Sequence, residues 1–222
     1  AREFENLTLL GRLQNEGVNW QNYIQFAGLR AFDKAKDATE LIYVHSKLMI
    51  VDDKQVIIGS ANVNDRSLNG DHDSEVCVRY QDDSGDFGKT LRENIWKIFL
   101  GVENDANFDD ISIPEWFNAF RSRAVSNTNI ANQLFRVVPN DAIHTFEDLP
   151  FYRDNHIIET DQNIRNNLFD QVQGVIADYP LQFLKDEWYI ATFSGCAGIF
   201  NNLVDSLDLF RTTNATEWDE GM

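Results

Sequence analysis

Two short apolar runs, residues 41–51 and 56–58, are rich in β-branched side chains and separated only by Asp52-Asp53-Lys54-Gln55. Runs of this length, continuous rather than alternating in apolar character, have the composition of strands covered on both faces. Four polar residues between them leave room for a turn and little else. A β-hairpin is therefore expected here, and the rest of the chain has to be arranged around it.

The flanking segments supply helices and further strands. Phe4, Leu7, Leu10 and Leu13 recur at a helical period over residues 1–16, with Gly17 as the stop. A strand is expected over residues 23–29, followed by a charged loop to residue 40. Beyond Gly59, residues 60–68 read as a polar loop entering a short helical turn, and residues 74–80 alternate as a third strand. Leu91, Ile95, Ile98 and Phe99 mark one face of an amphipathic helix over residues 87–102. After an acidic loop at residues 103–112, Pro114 suits the first turn of a helix carrying Trp116, Phe117 and Phe120. Residues 135–141, FRVVPND, read as a short strand into a turn, and residues 161–179 as a helix. There is no internal repeat and no low-complexity linker.

Composition narrows the function classes. A formal net charge of −17 argues against nonspecific nucleic-acid binding, which draws its affinity from clustered Lys and Arg, and equally against attraction of the bulk of the chain to anionic membranes. No run of roughly 18 apolar residues is present, so a transmembrane helix is not expected. Cys77 in a predicted strand and Cys196 near the C-terminus are expected to be buried thiols in a reducing compartment. The first residues, AREFENLTLLGRL, have neither an initiator methionine nor the pattern of a signal peptide, and read as a helix entered partway along. The chain is expected to be a piece of something longer.

The hairpin also carries chemistry. On a strand, residues two apart share a face, so His45 and Lys47 are expected to project together, whereas Asp52 differs by an odd number and points away. Asp52 is better placed to fix the turn or to pair with a nearby cation. Ser60 and Asn62 follow the second strand. If the hairpin brings its two ends together, an imidazole, an ammonium, a hydroxyl and a carboxamide converge. Such a set suits a phosphate held without a metal: lysine supplies a point charge, Ser and Asn supply neutral donors. Histidine, with a reference pKa of about 6.5, serves as nucleophile or as general acid near neutrality. Glu75 is placed to accept the second imidazole N–H and fix the tautomer. Each residue alone has a blander use, such as a hydrogen-bonded core histidine, a solvated lysine, or loop and cap chemistry for Ser60 and Asn62. Their occurrence together and in order favours a site.

His45-x-Lys47-x₄-Asp52 followed by Gly59-Ser60-x-Asn62 resembles the HxKxxxxD and GSxN signature of the phospholipase D superfamily. The wider segments YVHSKLMIVDD, IIGSANVNDRS and DSE, with YIQFAGLR before and FRVVPND after, resemble the second such motif of eukaryotic phospholipases D. The resemblance implies His45 as general acid and then base, Lys47 and Asn62 on the phosphoryl oxygens with Ser60 in support, Glu75 orienting a catalytic histidine, and Asp52 as a structural member of the motif. It implies no metal and no cofactor.

The implied fold is α/β: a phospholipase D-like mixed-sheet sandwich half with helices on both faces and a mostly helical C-terminal segment. Residues 1–139 would be the second half of the catalytic domain and residues 140–222 its accessory segment. The implied reaction is hydrolysis of a glycerophospholipid, phosphatidylcholine foremost, to phosphatidic acid through a phosphohistidine, with alcohol transfer as a side reaction. The implied location is cytoplasmic and peripheral to a membrane.

Only one such motif is present, because His72, His144 and His156 are followed two residues on by Ser74, Phe146 and Ile158. The nucleophilic histidine is therefore expected from a preceding segment or, in a dimer, from a second copy, and the isolated chain is expected to be inactive. A dimeric nuclease or phospholipid synthase of the same superfamily, and a catalytically silent scaffold, are the alternatives.

Overall fold

The structure, a computed structural model, describes residues 9–69, 73–102, 108, 114–154 and 157–187. In chain order the elements are α1 (Leu9–Asn15), β1 (Ala27–Asp33), β2 (Ala38–Ile42), β3 (Lys47–Val51), β4 (Gln55–Gly59), α2 (Asp65–Leu68), β5 (Cys77–Gln81), α3 (Asp86–Leu100), α4 (Pro114–Leu134), α5 (Leu149–Asp154), α6 (Gln162–Gln171) and β6 (Ile176–Asp178). They divide between two units. One contains residues 25–135 and 159–179, and the other the described parts of residues 1–24, 136–158 and 180–222.

The first unit holds both sheets. The predicted hairpin forms as β3 and β4, antiparallel in register Lys47↔Gly59 to Val51↔Gln55, and β5 adds to β4 in the order β3-β4-β5. The second sheet has the order β2-β1-β6, with Arg30 opposite Leu41 and Leu29 opposite both Ile42 and Ile176. Where one mixed sheet is expected from the sequence, the described residues form two three-stranded sheets in which every pairing is antiparallel.

Other assignments change as well. The first strand starts at Ala27 rather than residue 23, and β2 occupies part of the expected charged loop. The run 41–51 is not one strand: β2 ends at Ile42, residues 43–46 are irregular, and β3 begins at Lys47. The expected helix 161–179 stops at Gln171, and β6 follows it. The short strand expected at residues 135–141 amounts to an isolated bridge at Phe135. Residues 1–8 of the first expected helix and the acidic loop at residues 103–112, apart from Phe108, lie outside the described residues.

The core of this unit is built by α3 and α4. Phe108 lies edge-on to Trp96 and 4.4 Å from Trp116, and Phe120 completes the cluster 4.7 Å from Trp96. Asn127 of α4 is fully buried and donates to the carbonyls of Gln173 and Ile176, while Thr128 accepts from the Asp178 N–H. Helix side chains thus bond the backbone in and beside β6, which accounts for a strand of only three residues. Arg165 of α6 is 2% exposed and ties Asp37 in the β1–β2 turn to the carbonyls of Leu134 and Glu159.

Helix α3 anchors the hairpin at its turn. Asp52 and Asp53 both have positive φ, 52° and 59°, as a turn of this tightness requires, and Asp and Asn tolerate that region better than most residues. Asp53 takes two hydrogen bonds from Arg92 at 2.7 and 2.8 Å, and Gly88 packs so close that a Cβ there would sit 2.1 Å from the Asp53 carbonyl oxygen. The cation pair that the sequence reading allowed to Asp52 therefore belongs to Asp53, while Asp52 is exposed. Farther along, Val56 is 1% exposed and Tyr80, opposite it, meets Phe87 edge-on at 4.9 Å.

In the second unit, Ile143, Leu149 and Leu184 form a small core joined by Val138, Phe146, Tyr152 and Phe183. Asp148 closes a capping box with Thr145, accepting from the backbone N–H groups of His144 and Thr145 and from the Thr145 hydroxyl. No helix among the described residues is long and apolar enough to cross a membrane.

Candidate active site

The open end of the β3-β4-β5 sheet, opposite the anchored turn, collects the polar residues. Lys47 opens β3, Gly59 closes β4 and Cys77 opens β5, and the three lie side by side in one row. Gly59 is obligatory there, because a Cβ would lie 2.4 Å from Cys77 Sγ and 2.5 Å from the Val76 carbonyl oxygen. That closeness lets Ser60 N–H donate to the Val76 carbonyl while the Ser60 hydroxyl accepts from Val76 N–H, both at 3.0 Å. The same hydroxyl donates to Glu75. Cys77 itself is exposed rather than buried, since β5 is an edge strand and all five of its residues are exposed.

The described residues of 60–69 and 73–76 are tied together by their own side chains. Asn64 caps the single turn of α2, accepting at Oδ1 from Ser67 N–H at 3.0 Å. The Ser67 hydroxyl in turn accepts the Asn62 backbone N–H at 3.1 Å. Arg66 pairs with Asp73 at 2.9 Å, and the Asp73 N–H reaches the Arg66 carbonyl, so the loop closes back toward Glu75. The Asn62 carboxamide is exposed and has no hydrogen-bond partner among the described residues.

Glu75 is held below the usual carboxylate range, first by the Ser60 hydroxyl, then by that of Ser67, with the nearby Lys47 charge acting in the same direction. Lys47 is half-buried and its ammonium donates to the His45 carbonyl oxygen. His45 lies in the irregular link 43–46, exposed, its ring 6.0 Å from that of Tyr43. Strand alternation therefore does not govern His45. What ties it to Lys47 is the lysine's hydrogen bond to its backbone.

The arrangement brings Lys47, Ser60, Asn62 and Glu75 to one end of one sheet, with His45 beside Lys47. It does not bring Glu75 to the His45 imidazole: the described partners of Glu75 are Ser60 and Ser67. Ser67 is the member that sequence reasoning passed over, and its signal was the Asn64-x-x-Ser67 spacing of a capped helical turn. Among the described residues no three His, Cys, Asp or Glu side chains gather as metal ligands. The donors left to face a ligand, the Lys47 ammonium and the Asn62 carboxamide, are of the kind an oxyanion needs, and the serine hydroxyls hold the loop that presents them.

The family model described as Phospholipase D matches residues 26–129, which include both sheets except β6 and the whole of this site. The chain is 34% identical over 204 residues to phospholipase D2 of Bos taurus and 36% identical over 201 residues to phospholipase D1 of Homo sapiens. These alignments cover 82% and 81% of this chain but 22% and 19% of the relatives, so the chain spans about a fifth of their length. Phospholipase D zeta 1 of Arabidopsis thaliana is 40% identical over 159 residues, covering 62% of this chain and 14% of its own. With the motif residues lying inside the matched segment, the chain belongs to the phospholipase D superfamily.

Proposed function

We propose that this chain supplies the general acid/base half of a phospholipase D active site that hydrolyses phosphatidylcholine to phosphatidic acid and choline. The observation that carries the reading is the open end of the β3-β4-β5 sheet, where Lys47, Ser60, Asn62 and Glu75 assemble next to His45 within the segment matched as phospholipase D.

In this reading Lys47 and Asn62 take the non-bridging phosphoryl oxygens, and Ser60 and Glu75 hold the loop that presents Asn62. A histidine from a preceding segment attacks phosphorus, forming a P–N bond as the bond from phosphorus to the head-group oxygen breaks. His45, protonated, passes its proton to that oxygen, so choline leaves neutral at oxygen. His45 then takes a proton from water, the hydroxide attacks phosphorus, and the P–N bond breaks to release phosphatidic acid. An alcohol in place of water gives the transfer product. A positioned acid of this kind contributes roughly 10² to 10⁴ in rate.

The half-site reading also gives a use to the apolar row Leu48, Ile58 and Val78, which lies two register positions beyond the buried Val56 and is 39%, 49% and 66% exposed. A preceding half with the first His-x-Lys motif would cover it and complete the sandwich, with helices on both faces. Residues 1–139 then belong to the second half of the catalytic domain and residues 140–222 to its accessory segment. The described part of that segment carries the helices Leu149–Asp154 and Gln162–Gln171, and residues 188–222 lie outside the described residues. The complete protein works in the cytoplasm at a membrane surface.

The test is to incubate the complete polypeptide with phosphatidylcholine vesicles and, separately, with double-stranded DNA. Choline release without DNA cleavage is expected, consistent with a net charge of −17 that disfavours a polyanion. Cleavage of DNA but not of lipid would overturn the reading.

A further inference from the structure

Ser67 and Ser60 do the same thing from two sides. Each hydroxyl accepts one backbone N–H, that of Asn62 for Ser67 and that of Val76 for Ser60, and the Ser60 hydroxyl donates to Glu75 while that of Ser67 helps hold the same carboxylate in its ionised form. A serine hydroxyl has one proton to give and two lone pairs, and Ser60 uses the proton on Glu75 and a lone pair on Val76 N–H. Ser60 belongs to the strand end, where the Gly59 approach already fixes it. Ser67 is different: it comes from α2, placed by the Asn64 cap, and its hydroxyl ties the Asn62 backbone to that turn at 3.1 Å. The Arg66–Asp73 pair closes the same loop and acts on Glu75 through its charges.

We infer that Ser67 is a positioning residue of the site, its hydroxyl holding the Asn62 backbone to the capped turn of α2 so that the carboxamide is aimed at the phosphoryl group. The inference rests on the phosphodiesterase reading of that site for its catalytic consequence, and on the hydrogen bonds alone for its structural one. Asn62 is exposed, so its N–H finds water when Ser67 Oγ is removed. Removal therefore costs the fold little and releases the carboxamide from its position. A donor that tightens on the phosphoryl oxygens only as charge builds there affects turnover more than substrate binding.

The experiment compares Ser67→Ala and Ser67→Thr in the complete polypeptide, by choline release, hydrogen exchange of the peptide spanning residues 60–68, and melting temperature. Ser67→Ala is expected to lower kcat roughly tenfold with KM within about twofold, as loss of one positioned hydrogen bond implies. The acid limb of its pH profile moves to higher pH, because Glu75 has lost one of the donors that keep it ionised. Exchange over residues 60–68 rises, while the melting temperature stays near that of the parent. Ser67→Thr keeps the hydroxyl and restores both turnover and protection. Unchanged kcat and exchange in Ser67→Ala would overturn the inference, as would equal impairment in the Ala and Thr variants at parental melting temperature. An unsubstituted protein that turns over no phospholipid refutes the function proposed above instead, and the Ser67 cross-link is then judged by exchange alone.

Discussion

The turn of the hairpin offers a prediction whose size follows from the geometry. The Arg92 side chain is 6% exposed and that of Asp53 16%, and the pair is bidentate, so replacing Asp53 leaves a guanidinium with little access to water. Breaking a pair of this kind costs about 3 kcal/mol, at the low end of the buried range because Asp53 is not wholly enclosed. The φ of 59° at residue 53 adds about 1 kcal/mol for alanine and nothing for glycine. Asp53→Ala should therefore cost about 4 kcal/mol and Asp53→Gly about 3. Arg92 also stacks on Trp96 at 4.7 Å, and that contact survives both changes.

Hydrogen exchange of the complete polypeptide, read on the peptide spanning residues 49–57, measures the cost locally. Protection should fall by about three decades in Asp53→Ala and about two in Asp53→Gly. Asp53→Gly combined with Arg92→Met, which removes both charges, should regain most of the loss. Protection within about tenfold of the parent in Asp53→Ala, or a double variant as open as the sum of the singles, would refute the assignment of Asp53–Arg92 as the anchor.

Two further outcomes test the scaffold. Arg165→Lys keeps the charge but cannot reach Asp37 and two carbonyls at once, so it should destabilise the first unit by about 2–3 kcal/mol, and a parental melting temperature would contradict the role given to that side chain. Asp148 is held below the usual carboxylate range by the Thr145 and His144 N–H groups and the Thr145 hydroxyl, so its capping is fully present above the ordinary aspartate pKa of about 3.9 and is lost as pH falls through its lower folded value. Asp148→Asn should accelerate exchange over residues 143–149 at pH 7 and match the parent once pH drops below that range; a difference independent of pH would sink the assignment.

What could be read without the structure was whatever depends on neighbours in sequence. The hairpin follows from β-branched runs flanking Asp52-Asp53-Lys54-Gln55, and α3 and α4 follow from apolar spacing and Pro114. The break at residues 43–46 was hidden because Tyr43 and Val44 continue the apolar run, and the change of sheet at His45 is a tertiary event. Strand β6 was hidden because three residues carry no period, and it is the α4 side chains that secure it. Which of two adjacent aspartates meets a cation depends on turn torsions, and Arg92 lies 39 residues away. In the site, the residue types at positions 45, 47, 60, 62 and 75 were legible as an oxyanion set. The partners of Glu75 were not, because Ser67 reaches it only once α2 has formed.

The central claim is that His45 carries the proton to the leaving group. The most direct measurement is choline release from phosphatidylcholine vesicles by the complete polypeptide with and without His45→Ala, alongside the melting temperature of each. His45 is exposed and outside any strand, so the substitution should leave the melting temperature unchanged. Turnover should fall on the order of 10² to 10⁴. A variant that folds normally and retains turnover within about twofold of the parent would contradict the account.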